Sequence, residues 1–381
     1  MKFLHMADLH LGKIVNGFSM LEDQKYALSQ VLAMAKEYQI QGILLAGDIY
    51  DRSIPPVEAV KLFDEFLYQL ESMKIAVYII AGNHDSKERL LFGSRILEKK
   101  HIYIEGQLTS QIPFVETEDE YGILRIYQLP FFHLAEGREL FSLERGSGYE
   151  DVIRCLLEKT EVDTSVRNIC MTHLFVVPAK GQIQTCDSEM DLSVGGVESV
   201  PSQLFDVFDY TALGHIHGPQ RVGSDQIRYS GSLLKYSFSE EFHKKSVVYF
   251  EIKEKGVCDI KWLPLKPFRD MRSIRGKCKD LIQAEIVQAA NAEDYVAITL
   301  TDEEEILEPA ALLRTVYPNV MQIRFLKNEQ KYDDQVEVVK VEERSPISLF
   351  ESFLTEVRGE TDDARIEYVE ELIEEIMEEE Q

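Results

Sequence analysis

Five short polar motifs hold the side chains that could bind two metal ions around a phosphoester. In chain order they are Asp8-Leu9-His10, Gly47-Asp48-Ile49-Tyr50-Asp51, Gly82-Asn83-His84-Asp85, the single His173, and Gly214-His215-Ile216-His217. Carboxylate oxygens, imidazole nitrogens and an amide oxygen are all metal ligands. Two divalent cations roughly 3.5–4 Å apart clamp both the attacking and the leaving oxygen of a phosphoester. The residue types therefore predict two-metal phosphoester hydrolysis.

The motifs supply enough ligands for both ions. We predict that Asp8, His10, Asp48 and His217 bind one ion, and that Asp48, Asn83, His173 and His215 bind the other. Asp48 would bridge the two ions, because a carboxylate has two oxygens to share. Mixed oxygen and nitrogen ligands favour Mn²⁺ over Fe²⁺ or Zn²⁺, whereas Mg²⁺ prefers all-oxygen sites.

His84 is not needed as a ligand, which leaves it for acid–base chemistry. We predict that it protonates the leaving oxygen or stabilises its charge. Asp51 would orient this imidazole through its second nitrogen, and Arg52 would contact the phosphate as a fork donor. The histidines outside the motifs are expected to be structural; they are His5, His101, His133 and His243.

Each motif follows a short apolar run that is typical of a buried strand. The runs cover residues 1–7, 43–46, 76–81, 169–172 and 210–213. Amphipathic helices are predicted between the first of them, over residues 21–38, 56–73 and 87–99. Since α/β folds place their sites at the carboxyl ends of strands, we expect all five motifs at one edge of one sheet.

Length and composition exclude several classes of protein. The chain has 381 residues and 45% hydrophobic residues, enough for a large core. No stretch approaches the roughly 18–20 apolar residues of a membrane span. Asp8 and His10 interrupt the first apolar run too early for a signal peptide. The five cysteines are scattered and lack a C-x-x-C spacing, which favours reduced thiols and a cytoplasmic location.

The charge is unevenly distributed along the chain. The net charge of −26 argues against a nucleic-acid-binding protein, but acidic residues are concentrated in 341–381. Conversely, residues 266–279 form a basic run in which Asp270 is the one acidic residue. This run is either an ordinary solvated surface or a local patch that holds phosphates.

Four regions follow from these patterns. Strands and helices alternate over residues 1–265. A small α+β unit is predicted over 266–327, with a helix over 280–290. A polar linker covers 328–344. Residues 345–381 contain two amphipathic helices with one apolar and one acidic face, and these either fold back on the chain or dock on a partner.

The order D-x-H, GDxxD, GNHD, a lone His and GHxH resembles the calcineurin-like metallophosphoesterase superfamily. Finer features resemble its bacterial nuclease subunits; they are residues 1–12, Ser188-Glu189 with Gly195-Gly196, Ser230-Gly231-Ser232 and Ser345-Pro346. The resemblance implies an α/β fold with a two-layer β-sandwich core flanked by helices. It also implies a small α+β capping domain and a C-terminal helix pair.

The same resemblance implies a function. It implies Mn²⁺-dependent DNA cleavage, as a 3′-5′ exonuclease on duplex ends and an endonuclease on single strands or hairpins, in DNA repair, recombination and replication. It implies a homodimer built around residues 56–73 and 87–99, and an ATPase partner bound by the C-terminal helices. It also implies a cytoplasmic, nucleoid-associated location for this chain. The sequence has no G-x-x-x-x-G-K-[ST] loop, so ATP dependence would come from that partner.

The resemblance also favours DNA contact by the basic run. The residues expected to touch DNA there are Lys266, Arg269, Arg272 and Arg275. Two alternatives stay open. One is another two-metal phosphoesterase, such as a protein phosphatase, nucleotidase or cyclic-nucleotide phosphodiesterase, and the other is a non-enzymatic scaffold.

Overall fold

The computed structural model of the chain describes residues 1–192, 199–256, 258–304 and 306–326. The described residues from Met1 to Arg324 form one compact unit. Gly195, Gly196, the predicted linker and the predicted C-terminal helix pair lie outside the described residues. Among the described residues, no helix is both long and apolar enough to span a membrane.

The strands are, in chain order, β1 (Lys2–Met6), β2 (Ile14–Val15), β3 (Phe18–Ser19), β4 (Gly42–Ala46), β5 (Ala76–Ile80), β6 (Ile102–Glu105), β7 (Phe114–Asp119), β8 (Gly122–Leu129), β9 (Arg167–Thr172), β10 (Val176–Val177), β11 (Val200–Pro201), β12 (Tyr210–Leu213), β13 (Gln220–Val222), β14 (Ser224–Tyr229), β15 (Ser246–Ile252), β16 (Cys258–Pro264), β17 (Met271–Gly276), β18 (Tyr295–Leu300) and β19 (Val320–Phe325).

The α-helices are α1 (Leu21–Glu37), α2 (Val57–Ser72), α3 (Lys87–Leu90), α4 (Ser94–Leu97), α5 (Leu134–Phe141), α6 (Tyr149–Thr160), α7 (Cys278–Leu281), α8 (Ala284–Val287) and α9 (Pro309–Arg314). Short 3₁₀ helices cover Glu98–Lys100, Asp187–Leu192, Ser202–Phe205 and Phe238–Glu240.

Two mixed sheets of six strands form the body of the molecule. The first has the order β16-β15-β1-β4-β5-β6, and β1, β4, β5 and β6 run parallel. The second has the order β13-β14-β12-β9-β8-β7, and β14, β12, β9 and β8 run parallel. In the first sheet β15 is antiparallel to both of its neighbours, and in the second the edge strands β13 and β7 are antiparallel. Within each sheet the strands named as parallel have their carboxyl ends on the same side.

The two sheets pack face to face. Phe3, Leu44 and Phe250 of the first sheet lie in one apolar cluster with Ile169 and Tyr210 of the second. All five residues of β4 and all six of β9 are buried, as expected for strands that are covered on both faces. The predicted two-layer β-sandwich is therefore the core of the molecule.

Helices cover the outer faces of the sandwich. The buried residues of α2 are Ala59, Phe63, Phe66 and Leu70, which share one helix face. They belong to the cluster that joins α1 and α2 to the first sheet. Helices α5 and α6 cover the second sheet through a separate cluster that includes Val152 and Leu156. These helices fix the strands whose ends carry the polar motifs.

Two predicted helices are wrong in their extent. The helix predicted over 87–99 is broken into α3, α4 and a 3₁₀ turn, because Gly93 takes a left-handed conformation with φ 77°. The helix predicted over 280–290 divides into α7 and α8, because Gln283 between them is extended, with ψ 139°.

A third, three-stranded sheet follows the sandwich in the chain. Its order is β17-β18-β19, and α7 and α9 help to form its small core. Strand β17 lies inside the basic run and was not predicted, because Arg272 and Ser273 separate its apolar residues Met271 and Ile274. Met271 and Tyr295 pack into the same cluster as α1, so this sheet shares a core with the sandwich. The domain boundary at residue 265 stays a prediction.

Candidate metal centre

The five motifs meet at one edge of the sandwich, but they come from both sheets. Asp8, Asp48 and Asn83 follow β1, β4 and β5 of the first sheet, whereas His173 and His215 follow β9 and β12 of the second. The expectation that one sheet carries all five is wrong. The main-chain N–H of His215 donates to Asp8 Oδ1 at 2.9 Å, which ties the two sheets together at the site.

The backbone at the predicted ligands is held in an uncommon conformation. Asp8, His10, Asp48 and His215 have φ values of 53°, 44°, 50° and 101°, in or near the left-handed region. Such conformations persist where the surrounding structure enforces them, and they cluster at functional sites. Here the N–H of Asp8 donates to Gly47 O at 3.1 Å, and the N–H of His10 donates to Asp48 O at 3.0 Å.

Glycines at two of the motifs are required by close contacts. A Cβ at Gly82 would lie 2.1 Å from Asp48 Oδ1, and a Cβ at Gly214 would lie 1.9 Å from the carbonyl oxygen of Ala46. No larger residue fits either position without moving the backbone of a neighbouring motif. The glycines thus allow the strand ends to approach closely enough for their side chains to share ligands.

The structure brings together the side chains predicted for the first metal ion. The Nε2 atoms of His10 and His217 are 3.1 Å apart, and His10 Nε2 is 3.6 Å from Asp48 Oδ2. Asp8, His10 and His217 each offer one ligand atom within 4.8 Å of the others. All of these side chains are buried.

The side chains predicted for the second ion also meet. His173 Nε2 lies 3.3 Å from Asp48 Oδ2, 3.1 Å from Asn83 Oδ1 and 3.9 Å from Asp8 Oδ1. The rings of His173 and His215 are in edge contact, with centroids 5.2 Å apart. Asp48 Oδ2 thus faces both His10 and His173, which is the position that a bridging ligand requires.

Burial shifts the pKa values of the predicted ligands. Burial raises the pKa of the Asp8 carboxyl and lowers the pKa of the imidazoles of His10 and His215. Burial alone would lower the pKa of His173, but the Asp48 carboxylate beside it raises that pKa above its usual range. Buried ionisable groups at this density are costly unless they are paired with charges or bind metals.

The ligand atoms fit divalent cations. Two imidazole Nε2 atoms at 3.1 Å must share either a proton or a cation. In addition, His10 Nδ1 is buried without a hydrogen-bond partner. Four imidazoles, two carboxylates and one amide oxygen form a mixed nitrogen and oxygen set, which suits transition-metal ions better than Mg²⁺.

Asp85 supports the site without contacting it as a ligand. Its carboxylate accepts hydrogen bonds from the N–H groups of Ile49 at 3.1 Å, Tyr50 at 3.0 Å and Gly82 at 2.9 Å. It therefore locks the loop after β4 to the loop after β5. Its position in Gly82-Asn83-His84-Asp85 was visible in the sequence, but this bracing role was not predicted.

A carboxylate and a hydroxyl lie behind His217. His217 Nδ1 is 2.9 Å from Ser188 Oγ and 3.4 Å from Glu240 Oε1, and the Ser188 hydroxyl donates to Glu240 at 2.8 Å. Glu240 is fully buried and paired with Lys245, which also donates to the His217 carbonyl at 2.9 Å. Sequence reasoning missed Glu240 and Lys245, because they lie in a polar turn outside the motifs.

His84 lies beside the ligands and remains partly accessible. Its Nδ1 is 2.8 Å from the main-chain carbonyl of Asp51, so the carbonyl orients the ring. The Asp51 carboxylate instead accepts from Lys13 Nζ at 2.7 Å. The expected Asp51–His84 contact therefore exists, but through the backbone rather than through the side chain.

The predicted substrate-binding residues divide into two kinds. Arg52 has a side chain that is 71% exposed, and Lys266 and Arg275 are also exposed. In contrast, the Arg269 guanidinium pairs with Asp23 at 2.7 Å and with Glu22, and Arg272 pairs with Asp294 at 2.9 Å. These two arginines already have acidic partners, so their contacts favour a structural role over DNA contact.

Comparison with known proteins agrees with this geometry. Residues 1–219 match the family described as calcineurin-like phosphoesterase. The chain belongs to that family. Membership confirms the predicted fold class and the predicted metal-dependent phosphoesterase. Residues 267–358 of this phosphoesterase match a second family, described as type 5 capsule protein repressor C-terminal domain.

This phosphoesterase is also similar to individual proteins. It is 35% identical over 360 residues to a protein from Staphylococcus epidermidis that is named as a nuclease subunit of SbcCD, covering 93% of this chain and 94% of the relative. A solved dimetal phosphatase from Danio rerio has 12% sequence identity and a TM-score of 0.37, covering 70% of this chain and 99% of the other.

Proposed function

We propose that this chain is the nuclease subunit of an SbcCD-type complex, a DNA phosphodiesterase that uses two Mn²⁺ ions. The observation that carries the proposal is the cluster of the six other predicted ligands around Asp48, with His84 beside it. Similarity over nearly the full length of an SbcCD nuclease from Staphylococcus epidermidis supports DNA as the substrate. The expected reactions are 3′-5′ exonuclease cleavage of duplex ends and endonuclease cleavage of single strands or hairpins.

Asp48 contacts both groups of predicted metal ligands and the proposed general acid. When bound, two divalent cations supply Lewis-acid stabilisation of the attacking and leaving oxygens. Asp48 Oδ1 accepts a hydrogen bond from the N–H of His84 at 2.9 Å, and its Oδ2 faces His10 and His173. The same carboxylate thus positions the acid–base residue and both sets of ligands.

His84 is the proposed general acid that protonates the leaving oxygen. A main-chain carbonyl can only accept, so the contact with Asp51 O places a proton on His84 Nδ1. This leaves Nε2 as the nitrogen that can exchange a proton with substrate. In its protonated form, His84 would donate from Nε2 to the departing oxygen.

DNA contact beyond the metal centre is proposed for the exposed basic side chains. Arg52, Lys266 and Arg275 have exposed side chains that can reach phosphates. Arg52 Nε also lies 3.6 Å from Asp51 Oδ2, so this side chain would approach the phosphate from beside the metal centre. Substituting Lys266 and Arg275 together by Ala should reduce the salt dependence of DNA binding. Unchanged salt dependence would contradict their contact with DNA.

We propose that the chain forms a homodimer through α2 and the segment from α3 to α4. Large apolar side chains are exposed there, including Val57 and Tyr68 on α2, Phe92 at 86% and Ile96 at 73% exposure. Several large apolar side chains exposed on neighbouring helices favour a protein interface there. A monomeric mass by light scattering at micromolar concentration would contradict the dimer.

We propose the ATPase SbcC as the partner of the acidic C-terminal segment. The support is the amphipathic pattern of residues 345–381 and the name of the relative. Deleting residues 346–381 should release SbcC while sparing Mn²⁺-dependent cleavage by the remaining chain. Continued tight association would place the interface elsewhere.

The deciding experiment is cleavage of end-labelled linear duplex by the purified chain with Mn²⁺, with and without SbcC and ATP. The His84→Ala variant should lose cleavage but still bind Mn²⁺ and DNA, since His84 is not a ligand. Chelator should abolish cleavage by the wild type. Hydrolysis of a small phosphodiester without DNA cleavage in either condition would overturn the nuclease assignment in favour of another phosphoesterase.

A further inference from the structure

A cavity of about 280 Å³ opens directly beside the candidate metal centre. Its lining includes the predicted metal ligands Asn83, His173 and His215. It also includes Phe131, His133 and Phe175, which we call the aromatic wall and which have no part in the proposed phosphoester chemistry. The same cavity is therefore lined by metal-ligand candidates and by aromatic rings.

The main chain behind the aromatic wall is held by hydrogen bonds to neighbouring segments. The N–H of Phe131 donates to Ala81 O at 2.9 Å, next to the Gly82-Asn83 turn, and Phe131 is 9% exposed. The rings of Phe131 and His133 are in edge contact, with centroids 5.2 Å apart. The carbonyl of Phe175 accepts from the N–H of Val200 at 2.8 Å. The main chain that carries Phe131 and Phe175 is thus held by hydrogen bonds without substrate.

Three predicted metal ligands also line the cavity, and this restricts what can bind in it. A group that fills it lies against Asn83, His173 and His215, so it would be next to a phosphate bound at the metal centre. The volume is just below the range for small-ligand pockets, which suits one base with its sugar better than a base pair. Flat aromatic rings stack on aromatic side chains without sequence preference.

We propose that this cavity binds the base of one nucleotide flanking the scissile phosphate, unstacked from its neighbours, with Phe175 as a stacking residue. This inference rests on the proposed nuclease function. It implies that the strand being cut must be unpaired at the scissile position, because a paired base cannot enter. It also implies that the base contributes to kcat/KM, although it takes no part in the bond cleavage.

The test combines a substitution in the protein with removal of a base from the substrate, and measures kcat/KM for every combination. The substrates are single-stranded oligonucleotides that are cut at the 3′-terminal phosphodiester. One has normal nucleotides on both sides of that bond. Two others have an abasic sugar, one on its 5′ side and one on its 3′ side. For the wild type, the abasic sugar on one of the two sides should lower kcat/KM by roughly 5- to 150-fold, the range for one base–aromatic stack. Phe175→Ala should lose a similar factor on the normal substrate and nothing further on the abasic one.

Two variants control for structural damage. Phe175→Tyr keeps the ring and should keep the abasic penalty. Phe114→Ala removes a half-exposed ring on β7, away from the cavity lining, and should behave as the wild type. Equal losses by Phe175→Ala on both substrates, or no abasic penalty in the wild type on either side, would overturn the base-binding proposal.

A second readout needs no cleavage. With chelator present, an oligonucleotide with 2-aminopurine at its 3′ end, and a second with the probe one position inward, are titrated with each variant. Binding to the wild type should change the fluorescence of one probe, and Phe175→Ala should remove that change. Absence of DNA cleavage by the wild type would count against the nuclease function, whereas normal cleavage without these base effects would count against the cavity alone.

Discussion

His217 is held from behind by a carboxylate that no motif contains. Its Nε2 faces the ligands, while its Nδ1 faces Ser188 and Glu240. A carboxylate behind a metal-binding imidazole fixes the ring and raises its basicity. At the scale of single residues, the metal centre therefore depends on residues outside the ligand set.

Glu240→Gln tests this support. The substitution keeps the size of the side chain but removes its charge, so we expect Mn²⁺ affinity to fall about 10- to 100-fold. Titration calorimetry with Mn²⁺ measures the change. Lys245 loses its paired charge in this variant, so a thermal melt must confirm that the protein is folded.

The neighbouring residue gives a matched control. Glu241 Oε1 accepts from the N–H of Ser273 in β17 at 2.8 Å and takes no part in the contacts behind His217. Glu241→Gln retains an accepting oxygen and should bind Mn²⁺ as the wild type does. Equal affinity in both variants would show that Glu240 does not support the metal centre.

At the scale of elements, the site depends on how closely the loops after β4 and β5 approach. Gly82 follows the end of β5 and lies against the Asp48 carboxylate and main chain. Asp85 then ties the same two loops together through three N–H groups. The strands thus place the ligands at one edge, and the glycines in the turns allow the loops that carry them to approach closely.

Gly82→Ala should displace Asp48 and reduce cleavage by about 100-fold or more, since misplacement by about 1 Å costs this much in an active site. The measurements are the cleavage rate and the number of Mn²⁺ ions bound. Gly146→Ala is the control, because a Cβ there meets nothing within 4 Å. A Gly82→Ala protein with full activity would mean that Asp48 is not confined as the structure indicates.

At the scale of the whole molecule, an arginine connects the two sheets. Arg167 of β9 pairs with Asp119 at the end of β7 and donates to Lys253 O, just beyond β15, at 2.9 Å. Burial alone would raise the pKa of Asp119, but hydrogen bonds from Arg167 and from the Met1 amino group at 2.9 Å lower it to about 2. The ionised carboxylate therefore stabilises the folded sandwich.

This pair should make stability depend on pH in a defined range. An unfolded Asp has a pKa of about 3.9. Since the folded pKa is lower, the contribution of Asp119 is fully present above that value and is lost as the pH falls toward 2. Urea unfolding of wild type and Asp119→Asn should differ most above about pH 4, and the difference should shrink below it. A difference independent of pH would contradict this role.

The sequence by itself determined the family, the ligand types and the strands that carry them. Metal ligands are chemically distinctive, and each motif follows an apolar run, so local pattern was enough to identify Asp8, Asp48 and His84 as candidates. The small sheet was only partly predicted, because β17 lies among arginines.

The tertiary structure decided which sheets meet, which charges are paired and which residues lie behind the ligands. Arg269 contacts Asp23 across 246 positions of the chain, and Ser188 contacts Glu240 across 52. Periodicity reports only on neighbours along the chain, whereas these contacts arise when distant segments pack. For the same reason, the aromatic cavity beside His173 and His215 became visible only once both sheets were in place.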